Sequence, residues 1–153
     1  MIKEIKLSKI TDAVERLCIE TNKKLPCDIV DKICDAKKKE INSLAQSILG
    51  DLEKNIKVAD RMNLPICQDT GMAIVFLEIG QDVHFTDGLL YDAVNEGVRR
   101  GYTNGLLRKS VVSDPLRRIN TDDNTPAVIH TQIVKGNSVK ITVAPKGFGS
   151  ENM

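Results

Sequence analysis

The sequence predicts an α/β fold, α+β-like in layout, as one domain spanning residues 1–153. Its expected order is N-terminal helices, a buried strand after Pro65, a further helix and a C-terminal antiparallel β-hairpin. Three observations lead there. Apolar residues recur at helical spacing along most of the segment before Pro65. Met72 to Ile79 is a nearly continuous apolar run with the length of a buried strand. Two alternating segments near the C-terminus flank a Gly-containing turn.

Taken in order, Ser8 suits the cap of a first helix whose apolar positions are Ile10, Ala13, Val14, Leu17 and Cys18. Pro26 stands where a second helix can begin, with Ile29, Val30, Ile33 and Cys34 on one side. A third, longer helix carries Ile41, Leu44, Ala45, Ile48, Leu49, Leu52, Ile56 and Ala59, and Pro65 ends that pattern. The apolar strand then runs to Gly80. Leu89, Leu90, Ala93, Val94, Gly97 and Val98 mark another helix, reaching about Tyr102. Asp114-Pro115 and Asn120 to Pro126 make a long polar loop rich in turn residues. Val128 to Val134 alternates, turns at Lys135-Gly136-Asn137, and returns as Ser138 to Val143. A Gly-rich stretch, Ala144 to Met153, follows. No internal repeat, low-complexity tract or linker is visible.

Composition narrows the function classes. The 22 Lys and Arg nearly cancel the 21 Asp and Glu, so no nucleic-acid surface is implied. No apolar run approaches the roughly 18 residues that a membrane span needs. The N-terminus lacks the apolar core of a signal peptide, which leaves a cytoplasmic location as the default. The core must be built from Ile, Val, Leu and Ala, since there is no Trp and only two Tyr and three Phe. Four cysteines in a chain of this size, without Cys-x-x-Cys spacing, read as reduced thiols.

Among those thiols Cys67 stands apart. Pro65-Ile66-Cys67-Gln68-Asp69-Thr70-Gly71 places it in a polar turn before the strand, beside hydrogen-bonding side chains. That setting suits a metal-ligating thiolate, but from spacing alone a half-buried thiol in a loop is much the commoner case. Cys18 and Cys34 fall on apolar helix faces, where core packing is the simpler reading, and neither they nor Cys27 are expected as ligands. Arg108, just past a helix, offers a fork for a carboxylate, or a partner for the helix C-terminal dipole. Lys146-Gly147-Phe148-Gly149-Ser150 lacks the order of a nucleotide-binding phosphate loop, yet its glycines let backbone N–H groups approach an anion. His84 and His130 have no nucleophile partner at motif spacing, and a strand His is expected to be packed or exposed. Asp122-Asp123 reads as a solvated loop pair.

Cys67-Gln68-Asp69-Thr70-Gly71, Tyr102 to Arg108, Asn124-Thr125-Pro126-Ala127 and Lys146 to Met153 occur together in this order. The chain from roughly residue 40 onward resembles the N-terminal portion of the α subunit, or α domain, of class I iron–sulfur fumarate hydratases and L-tartrate dehydratases. Two positions depart from that pattern: Leu-Leu-Arg stands where Asn-Leu-Arg is usual, and Phe148 replaces the middle Gly of Lys-Gly-Gly-Gly-Ser.

The resemblance implies a [4Fe–4S] cluster with Cys67 as one of three thiolate ligands, its open iron serving as a Lewis acid. It places Gln68, Asp69, Arg108 and Gly149 around a dicarboxylate substrate. The implied reaction is reversible hydration of fumarate to (S)-malate, or dehydration of tartrate. In that family the other two cluster cysteines lie C-terminal to the Lys-Gly-Gly-Gly-Ser segment, and the acid/base and further carboxylate-binding groups belong to a β subunit or domain. The expectation is therefore a truncated α portion with an incomplete ligand set, inactive alone, completed by a β partner and dimerising as α/β units. A non-catalytic assembly fragment and a thiol-based redox sensor are the rival readings from other classes.

Overall fold

The structure, a computed structural model, describes residues 2–149. The Ser150–Met153 end of the Gly-rich stretch lies outside the described residues. In chain order the elements are β1 (Lys3–Lys6), α1 (Leu7–Lys23), α2 (Cys27–Lys39), α3 (Ser43–Met62), β2 (Met72–Gly80), β3 (Val83–Thr86), α4 (Leu90–Asn104), β4 (Val128–Val134) and β5 (Val139–Lys146). The class is α/β, as expected. The chain falls into two compact units, Met1–Thr21 with Asp69–Met153, and Asn22–Gln68. Among the described residues no helix is long and apolar enough to cross a membrane.

In the first unit, β2 is the middle strand of a three-stranded sheet. β4 lies parallel along one side and β5 antiparallel along the other. The C-terminal strands thus form where expected and run in opposite directions, but they do not pair as a hairpin. Alternation tells which face a residue occupies and is silent about which neighbour its backbone bonds. A central, largely apolar strand needs both of its edges hydrogen-bonded, and β2 takes one from each of the later strands.

The short link between β4 and β5 therefore passes the end of β2. There Gly80 N–H donates to the Ser138 carbonyl at 2.8 Å, and Asp82 N–H donates to the Gly136 carbonyl at 2.9 Å. Glycine is required at position 80, because a Cβ would run into the Gly136 carbonyl. A second, two-stranded parallel sheet pairs β1 with β3, Ile5 lying beside Phe85. Because β1 feeds straight into α1 at Leu7, Ser8 sits inside the first turn instead of capping it.

The core of this unit gathers one face of each element. Leu7, Ile10, Val14 and Cys18 of α1, Ala73, Val75, Leu77 and Ile79 of β2, and Val94, Val98 and Tyr102 of α4 form one buried cluster. Full burial of such aliphatic side chains is worth about 1.5–3 kcal/mol each. On the other face of β2, Phe76 stacks on His130 with centroids 5.1 Å apart, and Glu78 pairs with Lys140 at 2.7 Å. His130 is accordingly an exposed strand residue that stacks on a neighbouring ring.

Helices α1 and α4 approach closely through glycines. A Cβ on Gly97 would sit 2.7 Å from both the Thr11 carbonyl oxygen and the Val14 Cβ, and one on Gly101 would sit 2.7 Å from the Cys18 Cβ. At the same contact the buried Thr11 hydroxyl donates to the Ala93 carbonyl at 3.0 Å.

The second unit contains α2 and α3. Asn42 caps α3 by accepting from the Leu44 and Ala45 N–H groups, and Asn63 ends it in the left-handed conformation with φ 54°. Glu53 of α3 pairs with Lys37 of α2 at 2.9 Å and with Lys57 at 2.6 Å. Yet α2 buries no residue, and α3 buries only Gly50 and Ala59. Ile29, Leu44, Ile48 and Leu52, which helical spacing assigns to apolar faces, stay exposed. Cys34 is half-buried where core packing was expected, whereas Cys18 is fully enclosed.

Replacing Gly97 by Ala should destabilise the protein by about 1–3 kcal/mol, since neither a helix carbonyl nor the Val14 Cβ can withdraw freely. Urea unfolding followed by circular dichroism measures this, and an unchanged midpoint would contradict the close α1–α4 contact.

Candidate functional site

Asp69, Thr70 and Gly71 form the turn that enters β2, and each ties down a different segment. One carboxylate oxygen of Asp69 accepts from Phe148 N–H at 2.7 Å and Gly149 N–H at 2.8 Å. The Thr70 hydroxyl donates to the Arg108 carbonyl at 2.9 Å, while the Thr70 carbonyl accepts from the Tyr102 hydroxyl at 2.9 Å. The Gly71 carbonyl accepts from the Asn124 side-chain amide at 3.1 Å. Gly71 itself has φ +58°, and a Cβ there would collide with the Lys146 carbonyl. The turn thus needs Asp, Thr and Gly for three separate reasons.

Asn124 works in the same way from the far side. It is fully buried, with φ 65°, a conformation that Asn tolerates better than most residues. Its side-chain oxygen accepts from Ser110 N–H at 2.7 Å and Val111 N–H at 3.2 Å. Residues 108–111 are therefore clamped between the Asp-Thr-Gly turn and Asn124. Past them, Val112 bridges Asn120 in an antiparallel contact, and the Asn120 side chain donates to the Lys109 carbonyl at 3.0 Å. This closes a loop that returns Arg118 toward Arg108.

These segments enclose a cleft of about 530 Å³, lined by Asp69, Arg108, Lys109, Ser110, Arg118 and Gly149 among others. The Asp69 carboxyl is held below its ordinary pKa chiefly by the Gly149 N–H, against the opposing effect of partial burial, with further help from Phe148, Gly71 and the charge of Arg108. The Ser110 hydroxyl is screened from water and has no hydrogen-bond partner among the described residues. Leaving such a group unsatisfied costs about 1–3 kcal/mol, which marks the cleft as prepared for something polar.

Asp69, Arg108 and Gly149 are thus brought into one cleft of the first unit. Gly149 contributes by fixing Asp69, its N–H being already spent on that carboxylate. Cys67 and Gln68 close the second unit, and both are exposed. The residue before Cys67 is held at both ends: Ile66 N–H donates to the Asn22 carbonyl at 2.9 Å, and the Asn55 amide donates to the Ile66 carbonyl at 2.8 Å.

Of the other thiols, Cys18 is a poor metal donor. Burial pushes the Cys18 thiol up to about 12, which keeps it protonated, and ligation needs the thiolate. Among the described residues no group of three or more His, Cys, Asp or Glu side chains converges to hold a metal ion. Asp123 is used within its own loop, accepting from Thr125 N–H at 2.9 Å and the Thr125 hydroxyl at 2.8 Å.

Sequence reasoning passed over Asn124, Lys109, Ser110 and Arg118. Asn124 lay in a quoted stretch, but nothing in the sequence shows that a polar loop residue will be fully buried. Arg118 carries only the faint signal of a basic pair in a loop.

A family model described as fumarate hydratase (Fumerase) matches residues 11–153. The chain belongs to the fumarate hydratase family. It is 34% identical over 151 residues to the putative L(+)-tartrate dehydratase subunit alpha of Methanocaldococcus jannaschii, a match covering 95% of this chain and 53% of that protein. It is 27% identical over 151 residues to the L(+)-tartrate dehydratase subunit alpha of Escherichia coli UTI89, covering 96% of this chain and 49% of the relative. Against the anaerobic class I fumarate hydratase of Escherichia coli K12 the identity is 37% over 101 residues, or 65% of this chain and 18% of that one. The chain thus spans about half the length of its tartrate dehydratase relatives. The matched span of this fumarate hydratase-family chain contains Cys67, Asp69, Arg108 and Gly149.

Changing Asn124 to Ala would strand two N–H groups and one carbonyl, and should cost about 2–4 kcal/mol in urea unfolding. Because the folded Asp69 pKa is depressed, its contribution is present above the unfolded carboxyl value of about 3.9 and fades as pH falls through the lower folded value. Protection of the Phe148 and Gly149 amides from hydrogen exchange should therefore be lost only once pH falls through that lower folded value. In Asp69→Asn the exchange should already be fast at neutral pH.

Proposed function

We propose that this chain is the N-terminal part of the α subunit of a hydro-lyase that hydrates fumarate reversibly to (S)-malate, or dehydrates L-tartrate. The observation that carries this reading is the cleft in which Arg108 stands beside Asp69, each fixed by backbone hydrogen bonds. A planar guanidinium makes two parallel bonds to a carboxylate, which binds and orients one end of the substrate. Asp69, kept ionised, supports the Arg108 charge and offers its second oxygen to a substrate hydroxyl. Fumarate and tartrate share the terminal carboxylates that such a site recognises, so both remain within this reading.

Iron–sulfur chemistry belongs to the reading at the family level, where an open iron supplies Lewis acidity. The described residues by themselves do not fit a four-iron cluster: Cys67 offers one exposed thiol, and no further donors converge. The remaining thiolates and the acid/base groups would come from elsewhere, in keeping with relatives whose printed names make them α subunits. We take a β subunit as the partner, with α/β units forming dimers in the cytoplasm.

Binding and turnover test this separately. In heteronuclear NMR, fumarate, (S)-malate or L-tartrate should shift the amide signals of residues 108–111 and 148–149. Arg108→Gln should weaken binding about 10–100-fold, the equivalent of losing a charge-assisted hydrogen-bond pair. After anaerobic iron–sulfide treatment the chain alone should hydrate no fumarate. Absence of any dicarboxylate binding would sink the proposal, and vigorous turnover by the lone chain would sink its two-component part.

A further inference from the structure

Among the described residues β4 and β5 are the two edges of the sheet centred on β2, and those edges are built differently. β5 has two lysines, Lys140 and Lys146, and a proline, Pro145, the residues that discourage a further strand from pairing. β4 has no Lys, Arg, Asp, Glu, Pro or Gly, and His130 to Ile133 along it are exposed. Its outward backbone groups can be named. Gln81 N–H donates to the Val134 carbonyl at 2.8 Å, and Val134 is in register with Gly80 of β2. Successive strand residues turn their backbone groups to opposite sides. Val128, His130, Gln132 and Val134 therefore bond toward β2, while Ile129, Thr131 and Ile133 turn theirs outward.

The strand itself, Val128-Ile129-His130-Thr131-Gln132-Ile133-Val134, reads alike by chemical class in both directions about Thr131. An antiparallel strand of the same sequence matches that symmetry. A two-fold axis at Thr131 sets Ile129 against the partner's Ile133, Val128 against the partner's Val134 and His130 against the partner's Gln132. Like classes meet at every position and no like charges face each other. The same operation on β5 would set Lys146 against Val139 and Lys140 against Pro145.

We propose that two copies of this chain join through β4, antiparallel about Thr131, into one continuous sheet with three strands from each copy. Ile129, Thr131 and Ile133 of each copy supply an N–H and a C=O apiece, and across the axis every one of these groups finds a partner. The joined sheet leaves only the lysine-bearing β5 edges free, which stops growth at two copies. This gives the dimer of the proposed function a seam, and it does not depend on which dicarboxylate the Asp69 cleft binds.

Sedimentation of the 153-residue chain over a concentration series tests the seam. One strand pair is at the small end of specific interfaces, so half-dimerisation is expected at about 10–100 μM. Thr131→Lys sets like charges opposite each other at the axis and should weaken dimerisation about tenfold or more. Thr142→Lys, on the β5 edge, should leave it unchanged. Both threonines are exposed, so neither change should move the thermal melt. In Thr131→Cys, mild oxidation should link two copies through position 131, because facing Cα atoms of a hydrogen-bonded pair stand about 5.5 Å apart. A chain that stays monomeric to about 300 μM overturns the seam. So does a dimer indifferent to Thr131→Lys, growth beyond two copies, or oxidation that links copies only through Cys27 or Cys67. None of these results alters the dicarboxylate shifts expected at residues 108–111, so the hydro-lyase reading stands or falls separately.

Discussion

The two hydrogen bonds from Phe148 and Gly149 to one oxygen of Asp69 are the constraint on which the rest of the site depends. They join residues about eighty positions apart and decide where the chain goes after β5. Because an ionised carboxylate is a stronger acceptor than a carbonyl, charge and local geometry reinforce each other there. Thr70 and Gly71 extend the same turn to Arg108, Tyr102 and Asn124. The cleft is thus an outcome of strand geometry: β2 starts at this turn and β5 ends at it.

A polar turn of this kind stands on an apolar foundation. Tyr102 is fully buried on α4, and α4 is pressed against α1 through Gly97 and Gly101. Any loosening of that helix contact moves the Tyr102 hydroxyl that holds Thr70. Core packing and cleft geometry are coupled through this hydrogen bond, so substitutions remote from the cleft reach it along α4. The unit formed by α2 and α3 behaves differently. Its ion pairs and caps are well made, but its aliphatic faces are left in water, as in a surface shaped to be covered.

Much of the fold was legible in the residues. Helical spacing located α1 to α4, and the apolar run located β2, because one buried face imposes a period on the sequence. The pairing of β4 and β5 was misread, since Val128–Val134 and Val139–Lys146 look alike whether they bond to each other or to β2. The short β1 and β3 were invisible: four residues such as Lys-Glu-Ile-Lys carry no usable period. At the site, Asp69, Arg108 and Gly149 were found through motif resemblance, and the structure brings these three together. Asn124 and Arg118 were missed for an opposite physical reason. Their positions are set by left-handed backbone turns and a single bridge, features that leave almost no compositional trace.

The order of the strands also bears on how the protein is made. Asp69 leaves the ribosome long before its hydrogen-bond donor Gly149, which is 80 residues later in the chain. At a synthesis rate of roughly 5–20 residues per second, that interval is on the order of 4–16 seconds. Until residues 128–134 have been made β2 has neither β4 nor β5 beside it, and an apolar strand with two open edges is the kind of segment that chaperones shield. Gly149 is therefore also a timing device: when it arrives both strands that flank β2 have been made, and the Asp69 cleft can close.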